Sequence, residues 1–216
     1  MKLSLTHLPI LALDCQTTGS SPETGTILEI GWAIMRGIDE DLSPRIESYL
    51  LALPEGAVLP RRVSAVTGIT TKDLWDAHPS GEIWGRLYEN ALEVSAAAGL
   101  HLCPVVSHYS RFEEPFLSRL HRDHASGIPF PFTLICTHEI AKRLLPDLPR
   151  RGLRAVAGYF GHSLGEMRRS AEHVSATMHT WKKLAGLLES ECGVRTLDDL
   201  QKWLAETPGC RRTGRK

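Results

Sequence analysis

The stretch Leu11-Ala-Leu-Asp-Cys-Gln-Thr-Thr-Gly-Ser20 runs from apolar residues into an aspartate, a glutamine two places later and a cluster of turn formers. Residues 9–14 form a continuous apolar run closed by Asp14, and the Thr-Thr-Gly-Ser-Ser-Pro sequence that ends at residue 22 breaks any regular continuation. The pattern reads as a buried strand and its exit loop. Side chains alternate along a strand, so Asp14 and Gln16 share a side and Cys15 takes the other. The end of a buried strand is where α/β proteins build sites. A carboxylate there is expected chemistry, whereas an uncharged amide at the next position on the same side needs a reason.

Working outward, residues 26–35, "TILEIGWAIM", form a second strand, 36–41 a turn and 45–52 a third strand. Their short connections imply an antiparallel meander. Beyond Pro60 the pattern turns helical, and "RRVSAVTGITTKDLWDAHP" reads as two short helical pieces around a Thr-Gly turn. Ser80 can cap a helix reaching to about Ala98, with Ile83, Leu87, Ala91 and Val94 along one side. A short strand at 104–107, a helix at 111–124 with Phe112, Phe116, Leu117 and Leu120 on one face, and a last strand at 131–136 follow. Helices at about 138–145, 153–160, 170–191 and 197–205 complete the chain, with Trp84, Trp181 and Trp203 expected in the core. The expected fold class is α/β: a mixed sheet, three antiparallel strands and then alternating helix and strand, flanked by helices. The expected organisation is one domain over 1–206 and a frayed basic tail over 207–216.

Lys+Arg and Asp+Glu balance at 25 each, so no global field draws a polyanion and any nucleic-acid surface must be local. Two such local clusters are Arg150, Arg151 and Arg154, and Arg168 with Arg169, for which solvated charge and a phosphate path are the alternative readings. With 42% hydrophobic and 23% charged residues the composition is that of a soluble globular chain. No run approaches the length of a membrane span, and the N-terminal stretch, interrupted by His7 and Pro9, does not read as a signal peptide. Five cysteines without paired spacing do not make a disulfide framework, which points to a reducing cytoplasm. His101 with Cys103 and Cys136 with His138 lack the double-ligand spacing of zinc sites, and the cysteines read as small buried hydrophobes.

Three segments carry the chemistry: Asp14-Cys-Gln-Thr-Thr-Gly19 with Ile27-Leu-Glu-Ile-Gly31, then Ser107-His-Tyr-Ser-Arg-Phe-Glu113, then Glu172-His-Val-Ser-Ala-Thr-Met178. They resemble, in order and spacing, the three motifs of the DEDDh 3′–5′ exonuclease family, which includes the proofreading epsilon subunit of DNA polymerase III and ribonuclease T. Val66-Thr-Gly-Ile-Thr70 and Leu153-Arg-Ala-Val-Ala-Gly-Tyr-Phe-Gly161 are similar to two further elements of that family, and the resemblance spans residues 11 to 181. It implies a ribonuclease H-like fold and phosphodiester hydrolysis by two divalent ions about 4 Å apart, Mg²⁺ or Mn²⁺, with a histidine as general base.

Carried over residue by residue, the resemblance gives Asp14 as the bridging ligand, Glu113 as the second-motif carboxylate and His173 as the base. Gln16 and Met178 stand where the family has a metal-binding glutamate and aspartate. An amide brings no negative charge and a thioether is too soft for Mg²⁺, so weak or lost metal binding is expected. Thr17, Thr18 and Gly19 are expected to approach a terminal nucleotide. His108 and Tyr109 replace the family's His-Asn, and Tyr109 either stacks on a base or closes the sheet edge. The reading is a nucleic-acid-binding member of the exonuclease family, a pseudo-exonuclease whose hydrolysis is weak or absent, holding the 3′ end of single-stranded DNA or RNA. The alternatives are an active enzyme rewired through Glu114 or His179, and a protein-binding scaffold that no longer touches nucleic acid.

Overall fold

The computed structural model describes residues 3–38, 44–163 and 165–206. The end of the expected 36–41 turn and the whole basic tail lie outside these residues. Five strands, β1 (Ile10–Thr17), β2 (Ile27–Met35), β3 (Glu47–Leu50), β4 (Cys103–Ser107) and β5 (Phe132–Cys136), form one sheet in the order β3-β2-β1-β4-β5. The first three pair antiparallel, and β4 and β5 join parallel to β1, as the alternation of strand and helix implied.

β1 continues past Asp14 to Thr17, because Asp14, Cys15 and Gln16 pair with Gly31, Ile30 and Glu29 of β2 before the register slips at Thr17. The turn formers therefore act later than their first appearance suggested. β3 is shorter than the expected 45–52 strand, and Leu51 instead makes an isolated bridge to His78.

Helix α1 (Arg61–Thr67) and a single 3₁₀ turn (Asp73–Asp76) flank the Thr67-Gly68 turn, where Gly68 takes φ +72°, a conformation that L side chains resist. The remaining helices are α2 (Ser80–Ala98), α3 (Ser110–Ala125), α4 (Thr137–Leu144), α5 (Leu153–Tyr159), α6 (Ser170–Cys192) and α7 (Leu197–Ala205). Ser80 does not cap α2. It is the first helical residue, behind Pro79, and its hydroxyl pairs with His124 Nε2 at 2.9 Å.

Alternation along β1 divides the core into two layers. Ile10 and Ala12 join the apolar layer of α4–α7, with Val174, Met178, Trp181 and Leu184. Leu11, Leu13 and Cys15 join the opposite layer, with Ile83 and Leu87 of α2 and Phe116 and Leu117 of α3. The three expected tryptophans are buried, and Cys15, Cys103 and Cys136 are free and buried. Among the described residues no helix is long and apolar enough to cross a membrane.

Candidate nucleic-acid cleft

At the C-terminal end of β1, Asp14 and Gln16 project toward α6 and meet His173, the fourth residue of that helix. Gln16 Nε2 donates to Asp14 Oδ2 at 2.8 Å, and His173 Nδ1 lies 3.1 Å from Asp14 Oδ1. The opposite amide orientation would set two oxygens against each other, so the hydrogen bond decides it. His173 Nε2 faces Met167 O at 3.4 Å, so both ring nitrogens point at acceptors, the pattern that suits an imidazolium. Burial opposes protonation of His173, but the hydrogen bond it donates to Asp14 and the charge on that carboxylate outweigh it and raise its pKa above the ordinary histidine value.

The helix that presents His173 is latched to β2. Glu29, 2% exposed and opposite Gln16 in the ladder, accepts from Ser170 N at 2.7 Å and from Arg169 Nε and Nη2 at 2.9 and 2.6 Å. Ser170 packs over Gly31, where an added Cβ would come within 2.7 Å of the serine hydroxyl. The Ile-x-Glu-Ile-Gly spelling thus combines an anchor for the start of α6 with the bare backbone on which it rests. Arg169, read as a solvated or phosphate-facing charge, is engaged here. Arg151 and Arg154 likewise hold the backbone carbonyls of Leu145, Pro146 and Gly165.

Glu113 lies in the first turn of α3, 2% exposed, with no hydrogen-bond partner for Oε2. Burial first, and then the charge of Asp14, push its carboxyl well above the ordinary glutamate value, which favours the neutral acid. Cys15 is also raised by burial and then by Glu113 and Asp14, so it offers no thiolate. Met178 is 7% exposed inside the apolar layer that holds Ala12 and Val106. The substitutes considered for it are engaged elsewhere or point outward. Glu172 accepts from the amides of Arg168 and Arg169, His179 donates to Phe160 O at 3.1 Å beside His162, and Glu114 is exposed.

The donor set therefore does not fit a pair of divalent ions. Both oxygens of Asp14 are held by nitrogen donors, the next position on the same side is the uncharged amide of Gln16, and the third position is apolar. Among the described residues no group of three or more His, Cys, Asp or Glu side chains is arranged to hold a metal.

Beside Gln16 opens a cleft of about 560 Å³, floored by Thr17, Thr18 and Gly19 and walled by Val63, Val66 and Thr67 on one side and Phe112 on the other, with Arg62 at its rim. The floor is fixed by its own bonds: Thr17 Oγ1 donates to Gly19 O, Thr18 N donates to Thr26 O, and Gly19 packs so closely on Gly25 and Thr24 that neither glycine accepts a Cβ. Val63, Val66 and Phe112 went unread as lining because hydrophobic spacing marks a buried face and cannot tell a wall from a core.

His108 is 8% exposed and both ring nitrogens are engaged, with Thr137 Oγ1 and Arg151 O at 2.9 Å. Burial lowers its pKa to about 4, so the ring is neutral, with Nε2 facing the carbonyl and Nδ1 facing the Thr137 hydroxyl, which itself lies 3.1 Å from Ser107 O. It ties the end of β4 to the start of α4 and to Arg151 from inside the protein. Tyr109 is 51% exposed, stands at φ +82°, alone among the described non-glycine residues in taking a positive φ, and lies 4.1 Å from the His138 ring. A left-handed tyrosine costs about 1–2 kcal/mol and persists only where its surroundings impose it.

No family model matches the chain. Ribonuclease T of Shewanella sp. (strain W3-18-1) is 26% identical over 196 residues, covering 83% of this chain and 85% of that protein. Ribonuclease T of Shewanella oneidensis is equally similar, with 86% of it covered. Escherichia coli exonuclease I in complex with single-stranded DNA superposes with a TM-score of 0.65 at 12% identity, over 88% of this chain and 41% of that one. The chain thus spans about two-fifths of exonuclease I. A 3′-exonuclease recognising the histone mRNA stem-loop gives 0.65 at 13% identity, over 83% and 64%. Exonuclease X with 5′-overhanging duplex DNA gives 0.54 at 17% identity, over 84% and 92%. The fold is ribonuclease H-like, that of the 3′–5′ exonucleases. The similarity to ribonuclease T supports a place in the 3′–5′ exonuclease superfamily and a nucleic-acid-binding role within it.

Proposed function

We propose that this protein holds the 3′-terminal nucleotide of a single-stranded nucleic acid in the cleft beside Gln16, and that it hydrolyses the terminal phosphodiester very slowly or not at all. The observation that carries the proposal is the closed Asp14–Gln16–His173 unit, in which an amide and an imidazole take both carboxylate oxygens. In an active site of this fold the carboxylates offset the charge of two dications. Here the positive partner of Asp14 is a side chain of the protein, and Met178 contributes packing where the family contributes charge.

The cleft keeps what end-binding needs. Thr17 to Gly19 form a floor held by its own hydrogen bonds, Phe112, Val63 and Val66 supply apolar lining on which a base could stack, and Arg62 supplies a cation for a phosphate. Binding of this kind needs no divalent ion. Tyr109 and His138 add an aromatic surface at the N-terminal end of α3. A cytoplasmic setting suits the free cysteines and the bacterial relatives.

The test is incubation of 5′-labelled single-stranded DNA and RNA with the protein in Mg²⁺, in Mn²⁺ and in EDTA, beside Asp14→Ala. Unshortened strands that bind equally well in EDTA are the expected result. Robust metal-dependent shortening that Asp14→Ala abolishes would overturn the loss of hydrolysis, and no binding at low salt would overturn the cleft's role.

A further inference from the structure

The segment between β3 and α2 sends its apolar side chains in two directions. Leu59 and Ile69 are buried around Leu28, with Val63 and Leu74 packed on them. Val58, Val66 and Trp75 turn outward, at 80%, 64% and 80% exposure. The other four tryptophans, Trp32, Trp84, Trp181 and Trp203, are all 9% exposed or less. An indole left this open adds little to the core, and an exposed large aromatic is the informative exception on a protein surface.

The 3₁₀ turn that carries Trp75, hereafter the lip, packs through Leu74 on the cluster that includes Val63 of the cleft wall, and Val66 extends that wall outward. Asp73 feels the charge of Arg169 at the entry to α6. Arg168 lies over the Thr67-Gly68 turn, its Cδ 3.8 Å from where a Cβ on Gly68 would stand, and pairs at 3.3 Å with the exposed Glu166, which a phosphate would have to displace. The carboxylate of Asp73 is taken up by Thr70 N and Oγ1, both at 2.7 Å, so it caps its own turn.

We infer that a strand whose 3′ end sits in the cleft continues over this lip, with a base stacked on Trp75 and its phosphates passing Arg62 and Arg168. The inference rests on the end-binding reading of the cleft and adds to it a second contact further along the strand. Bases in a duplex have their faces covered by one another, whereas an unpaired strand offers a free π-face to an indole whatever its sequence. Cationic side chains beside an exposed aromatic are the pairing that single-strand surfaces use, and a neutral chain must supply it locally.

Because the remaining tryptophans are buried, acrylamide quenching of intrinsic fluorescence reports mainly on Trp75. Binding of a 5′-labelled thymidine trimer and dodecamer is followed by anisotropy at low salt, with acrylamide accessibility measured on the same complexes. The expected result is that the dodecamer shields the exposed tryptophan and the trimer does not. Trp75→Ala should weaken the dodecamer about tenfold, as loss of one base stack does, leave the trimer unchanged, and be rescued by Trp75→Phe. Dodecamer binding with unchanged quenching and equal affinity in Trp75→Ala would overturn the path over the lip while sparing the cleft, and would leave Trp75 to a protein partner. Failure of both lengths to bind would remove the cleft reading and this inference together.

Discussion

Asp14, Gln16 and His173 form a unit in which charge and hydrogen bonding are satisfied by protein atoms alone. The raised pKa of His173 makes that unit pH-sensitive. A histidine whose folded pKa lies above its unfolded value of about 6.5 stabilises the protein fully below that pH, and the contribution fades as pH rises through the folded pKa. His108 works in the opposite sense: its folded pKa of about 4 means stability is lost as pH falls from about 6.5 toward it. Difference curves separate the two. Urea midpoints of His173→Gln against the parent should differ most near pH 5.5, by about 1 kcal/mol, and converge at alkaline pH. A second prediction concerns Gln16 and Met178. Gln16→Glu with Met178→Asp puts a carboxylate into an apolar layer, so the double variant should melt below the parent without metal. Added Mn²⁺ should raise its Tm while leaving the parent unmoved, as binding to the folded state alone requires.

At the scale of elements, the start of α6 is fixed by residues that lie far from it in sequence. Glu29 anchors the backbone of Ser170 and the guanidinium of Arg169, and Gly31 clears the space in which Ser170 lies. Glu29→Ala should lower stability by roughly 2–3 kcal/mol in urea titration, because it leaves an arginine and a helix N-terminal amide unmatched at a mostly buried place. Gly31→Ala should loosen the docking of α6 without removing a hydrogen bond, and hydrogen exchange of the first turn of α6 is the readout, with faster exchange there expected. If those amides keep their protection in both variants, another contact holds the helix.

For the whole molecule, two apolar layers share one sheet, so neither can be exposed without breaking β1, which contributes Ile10 and Ala12 to one and Leu11 and Leu13 to the other. Reading residues 1–206 as one domain predicts a single cooperative transition, with far-UV ellipticity and tryptophan emission coincident in denaturant. Two separated transitions would divide it. The zero formal charge also sets the scale of binding. With attraction confined to a few arginines at the cleft, affinity for single strands should fall with salt on a shallow slope, since few counterions are released.

Much of this was present in the sequence. Apolar alternation and turn chemistry determined five strands, their antiparallel and parallel order and the helices between them, because period and chain connection are local properties. The order of the motifs predicts that Asp14, Gln16, Glu113, His173 and Met178 belong to one region, and the residue types predict weakened metal binding there. Tertiary structure decided the rest. That His173 closes on Asp14, that Glu29 takes Arg169 from the surface, that His108 turns inward and that Trp75 turns outward are outcomes of tertiary packing, between residues more than forty apart in the cases of His173, Glu29 and His108. Residue type limits which bonds a side chain can make, but its partner is chosen by whatever the fold brings within about 3 Å, and no local pattern encodes that distance.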